Sequence, residues 1–413
     1  MTRRVVVTGV GAVSAVGHNA RDTWAAMVEG RSGIDRITLF DPEPFPVRIQ
    51  AEVHGYELGE RVDAKQQRHM NRSVIFGVGS ALEALDDSGL RITEENAEDV
   101  AIIFSSGAGG PGMFLEHQEI LKERGPRRIT PFLIANVIVD AASGHIAIAT
   151  GARGPNHAVV SACATGGGTI GEAFELIRRG DADAVIAGSS EAVLDPLFHA
   201  TWCSMRALAT DNDHPKEAQK PFDLNRDGFV PGEAGAGFIL EEYEHAVARG
   251  APIYCEVAGY GSSNDAYDMI ALHETGRGLK RAVSMAVRKS GIDPAAIDYI
   301  NPHGSATPSN DIIETAVFKE IMGEAAYGAA ISSVKPIVGH CMGAAGSVEA
   351  LACVMAIRDQ VVPPTINYRT PDPECDLDYV PNTARERDVD IAMTTSVGLG
   401  GHNSCVIFKR VEQ

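Results

Sequence analysis

Three side chains at glycine-flanked turns have the types and setting needed for acyl transfer: Cys163, His303 and His340. Cys163 lies in Ser161-Ala162-Cys163-Ala164-Thr165-Gly166-Gly167-Gly168, between an apolar run and a helical pattern. A thiol at a helix N-terminus feels the positive end of the macrodipole, which lowers its pKa and favours the nucleophilic thiolate. Such a turn also leaves backbone N–H groups free to hold an oxyanion. His303 follows the run Tyr299–Asn301, in Asn301-Pro302-His303-Gly304-Ser305-Ala306-Thr307-Pro308. His340 stands in Lys335-Pro336-Ile337-Val338-Gly339-His340-Cys341-Met342-Gly343. Strand-to-loop ends are where α/β folds place their sites. A lone Cys or His of this kind is commonly a packing residue. One Cys and two His in equivalent settings point instead to covalent catalysis.

The elements that must position them alternate between short apolar runs and helical patterns, which predicts an α/β protein. Buried strands are expected at Val5–Val7, Val100–Phe104, Val159–Ser161, Ala184–Ala187, Tyr299–Asn301, Ala330–Ser333 and Ile391–Thr394. Two stretches share one layout. Val159–Ser161 leads into Cys163 and then a helix whose Ile170, Ala173, Phe174 and Ile177 share a face. Ala330–Ser333 leads into His340 and a helix carrying Val348, Leu351, Ala352 and Met355 at the same spacing. The returning strands Gly235–Leu240 and Ser404–Phe408 correspond as well. This predicts an internal duplication with halves 1–250 and 251–413.

Composition removes several function classes. The 413 residues hold 36 Lys+Arg against 55 Asp+Glu, a net charge of −19. That disfavours a nucleic-acid binder and a polybasic membrane-surface protein. No apolar run approaches the roughly 18 residues needed to span a bilayer. The opening residues are basic and then apolar, like a weak signal peptide, but Gly9, Gly11 and Gly17 interrupt them. A first buried strand in a cytoplasmic chain is expected instead. The seven cysteines are scattered with no CxxC pair, so no disulfide scaffold or zinc knuckle is expected. Gly9-Val10-Gly11 lacks the third glycine of a dinucleotide fingerprint, since Ser14 stands there. No phosphate loop and no catalytic metal motif is present.

These motifs together resemble the β-ketoacyl-acyl-carrier-protein synthases of the elongating class, and among them synthase II. The resemblance runs from the opening strand through Lys220-Pro221-Phe222-Asp223 and Arg226-Asp227-Gly228-Phe229-Val230 to the closing Gly-Leu-Gly-Gly-His-Asn. It implies a thiolase-like fold, five layers in the order α-β-α-β-α. It implies that Cys163 is the acylated nucleophile in a Cys-His-His triad with His303 and His340. Lys335 would fix the charge state and geometry of the histidines, with Glu314 behind it in a hydrogen-bonded network. The N–H groups of Cys163 and Leu399 would form the oxyanion hole. Ser305 and Thr307 would hold the phosphopantetheine arm that arrives on the carrier, and no resident cofactor is implied.

The resemblance also implies an acyl pocket lined by Ala108, Ala162, Phe198, Trp202 and Leu399, with Leu133 reaching in across a homodimer interface. Leu399 stands where the family carries a gating phenylalanine, and Ala108 where synthase II has a bulkier isoleucine. An altered pocket for unusual, cyclic or long acyl chains is expected. A structural monovalent cation is implied near Asn301, Pro302, Glu349 and Ser396, with Thr395 in place of an asparagine ligand. Lys65, Arg68, His69, Arg127, Arg128 and Arg206 match the surface that docks an acidic acyl carrier protein. Cys341, beside His340, reads as packing. The rival readings are a polyketide ketosynthase subunit that needs a chain-length-factor partner, and a non-catalytic scaffold.

Overall fold

The computed structural model describes residues 3–411. Ten strands make one sheet, and we number them in chain order. β1 (Val5–Ser14), β2 (Val100–Ser105), β3 (Asn156–His157), β4 (Ala184–Glu191) and β5 (Ala234–Glu242) belong to the first half. β6 (Cys255–Asn264), β7 (Tyr299–Asn301), β8 (Ala330–Ile331), β9 (Ile391–Gly398) and β10 (His402–Lys409) belong to the second. Their order across the sheet is β8-β7-β9-β10-β6-β1-β5-β4-β2-β3. Read outward from the centre, each half repeats the same sequence of strands, so the duplication is in the topology itself. The halves join through β1 and β6, where Val6 faces Glu256 and Val7 faces Cys255.

Six helices position the site: α1 (Arg72–Ser88), α2 (Thr165–Arg179), α3 (Pro196–Met205), α4 (Arg277–Ser290), α5 (Pro308–Met322) and α6 (Ala345–Asp359). α1 covers one outer face, against β1 and β5, and α4 covers the other, against β6 and β10. α2 and α6 lie between the half-sheets and touch through small residues. A Cβ on Gly166 would sit 2.3 Å from the Ser347 N, and one on Gly346 would sit 2.6 Å from the Gly167 N. The layers are therefore α-β-α-β-α.

The Gly-x-Gly of the opening strand has a packing cause. A Cβ on Gly9 or Gly11 would meet the Ala84 or Ser80 carbonyl oxygen of α1 at 2.1 Å. Gly259 and Gly261 repeat this in the second half, at 2.4 Å and 2.0 Å from the Ala286 and Ala282 carbonyl oxygens of α4. In both halves an outer helix sits on its strand at a distance only glycine permits.

Two expectations change. Val159–Ser161 is not a strand. The ladder is formed earlier by Asn156–His157 at the sheet edge, where Ile102 and Ile103 pair with them, and Val160 is exposed. Ala330–Ser333 shortens to Ala330–Ile331. The face Ile170, Ala173, Phe174 and Ile177 of α2 is buried as expected. α6 is buried along residues 345–357 on every side, not on one stripe. A helix walled in by both half-sheets has no wet face. The largest apolar core runs from Val5 to Phe408 and draws on both halves. Among the described residues, no helix is long and apolar enough to cross a membrane.

Candidate active site

One cavity of about 300 Å³ brings together Cys163, His303, His340, Ser305, Thr307, Trp202 and Leu399. Cys163 stands in a short turn, Ala162–Ala164, that opens α2. Ala162 takes φ 51°, left-handed backbone that a non-glycine residue adopts only where its surroundings fix it. The turn thrusts the thiol out at the head of the helix. Burial nevertheless pushes the Cys163 thiol up to about 11, while the Lys335 charge and the Leu399 N–H pull the other way. Burial acts against the lowering expected at the helix N-terminus, because a thiolate in an apolar recess lacks water. Burial thus favours the neutral thiol over the thiolate.

The Leu399 N–H reaches the Cys163 sulfur, and a Cβ on Gly398 would sit 3.0 Å from the Cys163 N. Glycine there lets the end of β9 lie close against the Cys163 turn. The Leu399 side chain is 42% exposed and overhangs the mouth.

His303 and His340 meet edge to face, ring centroids 5.2 Å apart and planes at 80°. The Phe229 ring stands against His340 in the same manner at 5.1 Å. Burial, then the charge of Lys335, holds both histidines well below the ordinary value; for His303 the neighbouring His340 adds to it. Both are neutral at neutral pH. Lys335 is buried at 1% exposure and donates to the Glu349 carboxylate and to the His303 carbonyl oxygen. Burial raises the Glu349 pKa and Lys335 opposes it.

Glu349 is thus the direct partner of Lys335, and Glu314 is linked to the lysine through the His303 backbone. Glu314 accepts from the backbone N–H groups of His303 (2.8 Å) and Gly304 (2.7 Å), from Asn310 Nδ2 (2.9 Å) and from the Thr395 hydroxyl (2.9 Å). It shapes the His303 loop from α5, and burial pushes it up to about 7. The Ser305 and Thr307 hydroxyls lie 3.1 Å apart at the cavity wall. The Arg226 of the 220–230 segment anchors that wall, donating to the Pro308 and Thr307 carbonyl oxygens and to Asp372.

Ala108, Ala162 and Phe198 are not in the cavity lining. Ala108 and Phe198 pack with Cys163 and Trp202 in the apolar cluster behind it. Trp202 lines the cavity and meets Phe198 and Phe229 edge to face. Leu133 is half-buried and lies outside the cavity of the single chain. Phe229 and Met342, from two of the quoted motifs, also line it, as do Met205, Ile270 and Leu272, which no motif singles out. Ile270 and Leu272 share one segment, and no local spacing links it to Met205. Lys65, Arg68, Arg127, Arg128 and Arg206 are exposed, with His69 half-buried against Phe132. Arg206 ends α3, the helix that carries Trp202.

Buried oxygens without a hydrogen-bond partner include Asn301 Oδ1, Glu349 Oε2 and Ser396 Oγ. An unsatisfied buried oxygen is costly, and two neutral oxygens with one carboxylate oxygen suit a hard monovalent cation. The Thr395 hydroxyl is committed to Glu314 and adds no donor there.

Two family models match the chain: the N-terminal domain of β-ketoacyl synthase over residues 2–246, and its C-terminal domain over residues 254–369. The 3-oxoacyl-[acyl-carrier-protein] synthase 2 of Synechocystis sp. is 45% identical over 99% of both chains. The enzyme of the same name from Staphylococcus aureus strain COL is 43% identical over 99% of both. A solved β-ketoacyl synthase from Burkholderia phymatum STM815 has a TM-score of 0.91 and 31% identity, covering 99% of this chain and 100% of that one. A type II PKS acyl-carrier protein in complex with its ketosynthase, bound to the hexaketide, matches with a TM-score of 0.90 and 34% identity over 100% of both chains. With a thiol and two neutral imidazoles in one recess of a duplicated α/β fold, the chain belongs to the β-ketoacyl synthase family.

Proposed function

We propose that the chain is a 3-oxoacyl-[acyl-carrier-protein] synthase. It condenses a malonyl carrier thioester, with loss of CO₂, onto an acyl group held on Cys163, in fatty-acid elongation. The observation that carries this reading is the meeting of Cys163, His303, His340 and the Leu399 N–H at one apolar cavity.

The steps follow from the groups present. The Cys163 thiol gives its proton to a neutral imidazole and attacks the acyl thioester, and the carrier thiol leaves with a proton. The N–H groups of Cys163 and Leu399 receive the developing oxyanion. The Ser305 and Thr307 hydroxyls steady the phosphopantetheine arm. Malonyl carrier then loses CO₂, and the electrons of that bond become an enolate. Neutral His303 and His340 donate to the enolate oxygen. The enolate carbon attacks the acyl-Cys163 carbonyl, the C–S bond breaks, and the thiolate is reprotonated. The carbon–carbon bond takes its electrons from the lost carboxylate, so the chain needs no resident cofactor. A monovalent cation among Asn301, Glu349 and Ser396 would offset the Glu349 charge and hold β7, β9 and α6 in place.

An acidic carrier protein docks over Lys65, Arg68, His69, Arg127, Arg128 and Arg206, none of which forms an ion pair among the described residues. A homodimer is supported by the exposed Phe132, Ile134, Ile138 and Ile148, which flank a second cavity of about 640 Å³ beside the edge strand β3. Apolar exposure of that density marks an interface. The cytoplasm is the matching compartment.

The test uses the full chain purified alone. Acyl carrier should add one acyl mass at Cys163, and malonyl carrier should then yield the β-ketoacyl product. An unmodified wild-type chain would overturn the reading in favour of a scaffold. Elongation only with an added chain-length-factor subunit would favour the polyketide role.

A further inference from the structure

β4 and β9 are counterparts in the two halves, and so are the turns Ala162–Ala164 and Met342–Ala344 that open α2 and α6. Ala162 and Met342 both take left-handed backbone, at φ 51° and 45°. Gly343 thus corresponds to Cys163. On the Cys163 side, β9 ends in Gly398 and the facing space is open. On the Gly343 side, β4 ends in Glu191, and its carboxylate fills that space.

Glu191 Oε2 accepts from the Gly107 N–H at 2.8 Å and the Gly343 N–H at 3.2 Å. Oε1 accepts from the Ser106 hydroxyl at 2.5 Å, and Ser106 Oγ accepts from the Gly109 N–H at 2.7 Å. A Cβ on Gly107 or Gly343 would lie 2.7 Å or 2.5 Å from Oε2. A Cβ on Gly343 would also lie 2.5 Å from the Gly107 N, so the glycines let the two loops close on the carboxylate and on each other. Glu191 is 1% exposed, and no Lys or Arg is among these partners. Burial pushes it up to about 7, and the amide and hydroxyl donors pull the other way. A buried carboxylate with no cation is an expensive way to fasten two loops, which an apolar contact would fasten as well.

Its two arms end at the chemistry. The 106–109 loop carries Ala108, which packs with Cys163 and Trp202. The Gly343 amide belongs to the planar peptide that begins at Met342, and the Met342 N–H donates to His340 Nδ1 at 3.3 Å. We propose that Glu191 is a positioning residue of the condensation: it clasps the turn that sets the His340 ring to the loop that backs the acyl pocket. The proposal rests on the condensing-enzyme reading above.

Glu191→Gln keeps the shape but turns one acceptor into an NH₂ group facing amide donors. The first readout needs no activity: nitrogen NMR of the full chain labelled at histidine, with His340→Ala assigning the signal. Wild type should show His340 protonated on Nε2 alone, and E191Q should show mixed tautomers. An unchanged tautomer in the variant overturns the proposal. The second readout separates the half-reactions. E191Q should lower kcat for malonyl-carrier decarboxylation by about 10- to 100-fold, the effect of a small misplacement, with KM and the extent of Cys163 acylation kept. Equal loss of acylation and decarboxylation would mean a merely structural role and overturns it. Ser106→Ala breaks only the pocket arm. It should alter the preference among acyl chain lengths and leave the His340 tautomer as in wild type, and decides the matter should E191Q fail to fold; a tautomer change there overturns the two-arm assignment. A wild type with the expected tautomer that decarboxylates no malonyl carrier would sink the condensing reading and leave the clasp standing.

Discussion

The Met342 backbone N–H donates to Nδ1 of His340 at 3.3 Å. A backbone N–H has no other role, so Nδ1 must offer its lone pair and the ring proton must sit on Nε2. His340 is thereby a neutral donor of fixed direction. His340→Ala should leave acylation of Cys163 intact and lower decarboxylation on the order of 10²–10³-fold, the loss seen for one oxyanion donor. Mass spectrometry of the acyl-enzyme and CO₂ release check the two halves.

The pKa shifts oppose the usual picture of a thiolate–imidazolium pair. The folded state favours the thiol, with Cys163 at about 11, and the neutral ring, with both histidines well below 6.5. Raising the pH, not lowering it, should therefore create the reactive sulfur. The rate of Cys163 alkylation by iodoacetamide should keep climbing above pH 9. A plateau near or below pH 8 would contradict the shift. The ring signals of His303 and His340 should stay those of neutral imidazole as pH falls through 6.5.

Lys335 and Glu349 form a buried ion pair, each at 1% exposure. Lys335→Met strands the carboxylate and should cost about 3–5 kcal/mol in denaturant unfolding. The sign with pH is fixed: burial already raises Glu349, Lys335 opposes this, and without the lysine the folded pKa rises further. The stranded group favours folding least when ionised, so the loss should shrink as pH falls below the folded pKa. Adding Glu349→Leu should restore stability without restoring decarboxylation.

Trp202 lines the cavity between Phe198 and Phe229. Trp202→Leu should raise kcat/KM for longer acyl carriers relative to short ones, by about tenfold for each 1.4 kcal/mol of additional apolar burial of the chain. Competition between chain lengths for Cys163, read by mass, checks it. The same preference in variant and wild type would show that the ring does not limit the pocket.

Arg128→Glu and Arg206→Glu should each weaken carrier binding, with the difference from wild type fading at high salt. Titrations at two ionic strengths decide it, and equal affinity at low salt would remove those residues from the docking surface.

What can be read in the sequence is local. His303, His340 and Lys335 each stand beside glycine or proline, and Cys163 stands two residues after an apolar run and three before a glycine triplet, so type and setting announce them together. The Lys335–Glu349 pair is not legible, because a turn and a helix face each other only after α6 is walled in. Glu314 carries the same carboxylate chemistry but meets Lys335 only through the His303 backbone. Val159–Ser161 resembles a buried strand because of its branched residues, of which Val159 packs on the main core while Val160 is exposed. The hydrogen bonds are made by polar Asn156 and His157 at an edge. Met205 and Ile270 reach the cavity from segments outside the quoted motifs, and pattern has no hold on such contacts. The Gly9–Gly11 pair is visible, but its meaning lies in a helix more than sixty residues away.

The seam between β1 and β6 has one more consequence. Cys163 is delivered by the first half, and both imidazoles by the second. Neither half holds a complete set of reacting groups, so the chemistry is a property of their pairing. Co-expressed fragments 1–250 and 251–413 should be inert apart and active when they rejoin. An ancestor made of a single such half would have needed a second copy of itself before it could make a carbon–carbon bond.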